Sequence, residues 1–145
     1  GFRANEIAAP ARYRAKLDPS LASIASDPEG DIFVSYGMPP YRLWKVRGDG
    51  SGIEAWGREC EHPEDAVLIS DIAFDPSSGV LWALLARKSA GRQMLDAFSR
   101  EGEYLGSAEI PHSESLYGAV CPAGSSRLAL LDTGGGNLTL IDLSE

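Results

Sequence analysis

One pattern recurs three times in this chain, and no other feature limits its folding so strongly. It spans Ile24–Val34 (Ile-Ala-Ser-Asp-Pro-Glu-Gly-Asp-Ile-Phe-Val), Ile72–Ala83 (Ile-Ala-Phe-Asp-Pro-Ser-Ser-Gly-Val-Leu-Trp-Ala) and Tyr117–Leu130 (Tyr-Gly-Ala-Val-Cys-Pro-Ala-Gly-Ser-Ser-Arg-Leu-Ala-Leu). Each copy is a short apolar run, a turn with Pro and Gly, and a second apolar run. Pro presets φ and Gly accepts positive φ, so the centre of each copy makes a tight turn and its flanks pair as a hairpin. The prolines stand at 28, 76 and 122, a repeat of 46–48 residues.

Further alternating segments follow each hairpin. Third strands are expected at Tyr41–Val46, Gln93–Phe98 and Asn137–Leu143, and fourth strands at Ile53–Trp56 and Glu103–Leu105, with Gly-containing turns between them. Four strands joined as a meander are a β-propeller blade. The expected fold is therefore all-β: three blades of four antiparallel strands. The expected division is an N-terminal segment at 1–20, then blades at 21–57, 58–106 and 107–145. The third blade lacks a fourth strand, and the alternating segment Ala11–Leu17 is available to supply one, as ring-closing strands do.

The first unit resembles an NHL-type repeat. It carries Asp27-Pro28-Glu29-Gly30, the second strand Ile32-Phe33-Val34, Arg42 opening Leu43-Trp44-Lys45-Val46, and a closing Trp56-Gly57. The other units match more loosely, with Arg92 at the Arg position of the second and Asn137 in the third. The resemblance covers about residues 21–143 and implies a six-bladed propeller. It says little about function, because such propellers include ligand-binding scaffolds, extracellular modules, lyases and lactonases. The metal-dependent lactonases use Glu, Asn and Asp around the central channel; Asp71 alone stands near a comparable place, so no full ligand set carries over.

Propellers have about 4–8 blades, and three do not close a ring. The expectation is half of a six-bladed ring, completed by a second copy in a homodimer or by the rest of a larger propeller.

Net charge is −8, from 13 basic and 21 acidic residues, which argues against nucleic acid and anionic membrane surfaces as partners. The longest apolar stretch, Val80–Ala86, is too short to span a bilayer. Residues 1–6 do not make a signal peptide. They fit what remains after removal of one, and equally an arbitrary boundary; a secreted or periplasmic setting is favoured over a cytoplasmic one. Two cysteines, Cys60 and Cys121, exclude a disulfide scaffold and leave one bridge open.

In a propeller, the loops after strands two and four share one face, which commonly binds ligands. That face would carry Met38 and Tyr41 in a Pro-rich loop, Arg92, and His62 and His112, which stand 50 residues apart at matching positions. Tyr and Met there suit a protein or peptide partner. The two histidines, with Asp71, are the candidate ligands of a divalent metal, although catalytic zinc takes three protein ligands; their bland reading is exposed polar loop. Asp71 and Ser70 open the second inner strand and are candidates to face the channel. Gly134-Gly135-Gly136 lacks the Lys-Ser/Thr of a phosphate loop and reads as a hairpin loop, with Asp132 forming its turn. No Gly-x-Ser-x-Gly elbow or protease-type cysteine sequence is present. The leading expectation is a noncatalytic module that binds a protein or small ligand, or assembles, and needs no cofactor. The alternative is a metal-assisted hydrolase or lyase.

Overall fold

The structure, a computed structural model, describes residues 21–36, 43–56, 66–87, 93–110, 117–132 and 134–143. These residues form eleven strands and no helix. The strands are β1 (Leu21–Ser26), β2 (Ile32–Tyr36), β3 (Leu43–Val46), β4 (Ile53–Trp56), β5 (Ala66–Asp75), β6 (Val80–Arg87), β7 (Met94–Phe98), β8 (Tyr104–Glu109), β9 (Tyr117–Pro122), β10 (Arg127–Asp132) and β11 (Leu138–Asp142). They make three antiparallel meanders, β1-β2-β3-β4, β5-β6-β7-β8 and β9-β10-β11.

The turns form for the reasons legible in their residues. Asp27 and Asp75 are buried at the head of the first and second hairpins. The Asp27 Oδ1 accepts the Asp31 N–H at 2.9 Å, and the Asp75 carboxylate accepts the Ser77 N–H at 2.9 Å and both serine hydroxyls, of Ser77 and Ser78, at 2.7 Å. Gly30 and Gly79 then close the turns at φ of 87° and 71°. Burial pushes the Asp75 carboxyl up, but the hydroxyls of Ser77 and Ser78 and the backbone donors outweigh it and hold the group below its ordinary value.

The sheets stack face to face in chain order. Phe33, Leu43 and Trp56 of the first sheet meet Ile69, Ile72, Phe74, Leu81, Ala83, Leu85 and Phe98 of the second. Phe33 sits edge-on to Trp56 with centroids 4.8 Å apart and stacks on Phe74 at 5.8 Å. The opposite face of the second sheet, with Ala73, Leu84 and Leu95, meets Tyr117, Val120, Leu128 and Leu130 of the third. Strand alternation sends successive residues to these two faces, so the middle sheet is buried on both sides.

Three boundaries differ from the sequence expectation. β5 begins at Ala66, so Ser70 and Asp71 lie within a ten-residue strand rather than at its start. β8 runs to Glu109, although Gly106-Ser-Ala-Glu109 has few strand formers; pairing with β7 carries it. Pro122 ends a strand opposite Leu128 instead of sitting in the turn, which is made by Ala123–Ser126 with Gly124 and Ser126 at positive φ. Ala11–Leu17 and the remainder of 1–20 lie outside the described residues.

Candidate functional site

The first strands β1, β5 and β9 lie side by side, and each carries an irregularity at the same repeat position. Pairing skips residue 22 in β1, residue 70 in β5 and residue 118 in β9, a spacing of 48 in both intervals. A bulge re-aims the side chains beside it. The residues that follow are Ser23, Asp71 and Ala119.

Asp71 joins all three sheets. Its Oδ1 accepts the hydroxyl of Ser23 on β1 and, at 2.9 Å, the N–H of its own neighbour Ile72. Its Oδ2 accepts the N–H of Val120 on β9 at 2.9 Å. Val120 stands 48 residues after Ile72, so the carboxylate joins one backbone position in two consecutive repeats. Ser23 Oγ makes the corresponding contact one sheet earlier, accepting the Ile72 N–H at 3.3 Å. Ser23 and Asp71 thus each reach the N–H found 49 residues later on the next sheet. Ala119, at the third position, has no group to do so.

A second polar link lies nearby. The buried Gln93 donates its Nε2 to the Tyr117 carbonyl at 2.7 Å and accepts the Tyr117 N–H on Oε1 at 2.6 Å. The amide imitates a strand residue and ties the start of β7 to β9. Both links hold β9 against the second sheet where backbone ladders do not run.

The end of the sheets marked by the hairpin turns is also knitted. The Gly48 N–H and then the Lys45 ammonium hold the Asp31 carboxyl below its ordinary value; both contacts are 2.9 Å. Arg100 pairs with Glu29 between the first and second sheets. An open depression of about 550 Å³ is lined by Ala123–Arg127, Asp142 and Leu143. Its charges are matched, since Arg127 Nε lies 2.7 Å from Asp142 Oδ1.

Of the residues expected to bind a ligand, Asp71 is placed as above. Met38, Tyr41, His62, Arg92 and His112 lie outside the described residues. The two Asp71 oxygens take three donors, from β1, β5 and β9, and so join strands of all three sheets. Among the described residues no group of three or more His, Cys, Asp or Glu is placed to hold a metal ion. Asp132 accepts the Gly134 and Gly135 N–H groups at 2.9 and 3.0 Å on one oxygen, so the Gly-rich segment is closed by its own aspartate. Cys121 is an exposed free thiol. Sequence reasoning passed over Ser23 and Gln93. Ser23 had a signal, since it stands one repeat of 48 residues before Asp71; Gln93 had none, because its partner is the backbone of another sheet.

No family model matches the chain, and no curated protein does. Among solved structures, it is similar to the crystal structure of the major Malassezia sympodialis allergen Mala s 1, at 16% identity and a TM-score of 0.43. That match covers 86% of this chain, which spans 56% of the allergen chain.

Proposed function

We propose that this chain is a noncatalytic β-propeller module, three NHL-like blades that serve binding or assembly. The observation that carries the reading is the Asp71 link. The carboxylate best placed by the sequence for channel chemistry accepts donors from β1, β5 and β9, which supports a joining role for it. Stacked four-stranded meanders with neighbouring first strands are the architecture of consecutive blades, and a 48-residue bulge repeat fits it. The ligand, a protein segment or small molecule, would be met by Met38, Tyr41, His62, Arg92 and His112, which stand in the sequence between β2 and β3, β4 and β5, β6 and β7, and β8 and β9. Tyr and Met offer apolar area to a partner with little charge, and the acidic surface keeps polyanions away.

The test sets this reading against a metal-assisted hydrolase or lyase. Purified protein is incubated with Ca²⁺, Mg²⁺, Mn²⁺ or Zn²⁺ and assayed on lactones and esters, with metal content measured in parallel. The expected result is no turnover above the buffer rate and no stoichiometric metal. Metal-dependent turnover that disappears in His62→Ala or His112→Ala would overturn the proposal.

A further inference from the structure

The two outer faces of the stack are the two halves of a contact that the chain already makes twice. Each internal joint places one kind of face on the other. The face of the first sheet carrying Ala25, Phe33, Leu43 and Trp56 meets the face of the second carrying Ile72, Phe74, Leu81 and Ala83. The reverse of the second sheet, carrying Ala73, Leu84 and Leu95, then meets the face of the third carrying Val120, Leu128 and Leu130.

Among the described residues, one face of each kind lies outside the two cores. On the first sheet, Ile24 pairs with Val34 and Val34 with Trp44. These side chains point away from the second sheet; Ile24, at the position of Ile72, is 68% exposed, Trp44 is half-buried and Val34 is buried at 6% exposure. On the third sheet, Leu131 pairs with Leu138 and Ala129 with Leu140, on the face turned away from the second sheet. There Leu131, Leu138 and Leu140 are 40%, 67% and 59% exposed. Leucines in such a row on a regular strand face are the kind of surface that marks an interaction site.

We propose that the occupant of each face is a second copy of this chain, joined head to tail: the Leu131–Leu138–Leu140 face of one copy on the Ile24–Val34–Trp44 face of the other. The repeat identifies the occupant. The two faces are built on the same strands, in the same order, as the faces that cover one another inside the chain, so the corresponding sheet of another copy is the occupant that the repeat points to. Two such joints related by a two-fold axis close two copies into one six-sheet ring, so growth stops at the dimer. The joint differs from the internal ones in one respect. Ala119 stands where Ser23 and Asp71 supply polar links, so the contact between copies is apolar and separable. This inference rests on the propeller reading above.

The experiment measures solution mass by light scattering coupled to size exclusion, with circular dichroism to show folding. The parent chain is expected near twice 15.5 kDa. Ile24→Asp and Leu140→Asp each damage one partner face and are expected to run as folded species near 15.5 kDa. Their equimolar mixture retains one intact joint, between undamaged faces on different copies, and is expected to recover the doubled mass. A folded parent that stays monomeric across the concentration range overturns the proposal, whether or not further repeats of a longer protein cover the faces. So does a single variant that keeps the doubled mass by itself, because like-on-like pairing through its undamaged face is then the contact, and so does a mixture of two monomeric variants that fails to re-associate. None of these outcomes touches the noncatalytic reading, which fails only on metal-dependent turnover.

Discussion

At the scale of single residues, the turns are where side-chain identity matters most. Gly48 packs on the backbone of the neighbouring hairpin, and a Cβ there would lie 2.4 Å from the Gly30 carbonyl oxygen. That contact is with backbone and has no flexible end to yield. Gly48→Ala is therefore expected to cost about 2 kcal/mol or more in urea denaturation. Gly52→Ala, where a Cβ meets nothing within 4 Å, should stay within about 0.5 kcal/mol. Asp75 carries a pH dependence. Its folded pKa is lowered, so its stabilisation is present above the unfolded value of about 3.9 and is lost as pH falls through the folded value. The parent should lose stability between about pH 5 and pH 2, and Asp75→Asn should flatten that dependence while costing about 1–2 kcal/mol at pH 7. Thermal unfolding across that pH range checks both. The role of Asp75 was legible in the sequence, because an aspartate before Pro and Gly acts on its own local backbone.

At the scale of elements, local pattern located the strands and tertiary pairing set their ends. Ile53–Trp56 reads as a strand and is one, β4. β5 and β8 outrun their apolar cores because hydrogen bonds to β6 and β7 continue past the residues that favour strands. The Pro and Gly turn pattern misled in the third unit, where Pro122 is paired within β9. Counting from bulges instead gives an even repeat of 48, since a bulge belongs to the strand register and the turn length varies between copies. The Asp71 link makes a prediction at this scale. Asp71→Ala removes the acceptor for Ile72, Val120 and Ser23 and is expected to cost about 2 kcal/mol, with Ser23→Ala costing about 0.5–1. Because both act through one cluster, the double variant should cost less than the sum of the singles. A double-mutant cycle by chemical denaturation measures it; full additivity would mean that the two side chains act separately.

At the scale of the whole molecule, the order of stacking decides what remains for function. The middle sheet is covered on both faces, while the first and third each keep one face outside the two described cores. The mixing experiment with Ile24→Asp and Leu140→Asp is the prediction proper to this scale, since no change within one sheet distinguishes head-to-tail from like-on-like contact. The sequence by itself determined an all-β chain of three repeats, the approximate position of each hairpin and the Pro and Gly turns of the first two. Those features depend on neighbours a few residues apart, which the order of residues displays. Only the tertiary structure decided that Asp71 joins three sheets, that Gln93 stands in for a strand residue, and which apolar faces cover one another. Each of those contacts joins groups tens of residues apart, and a carboxylate's donors are set by the strands packed around it rather than by the residues beside it in the chain.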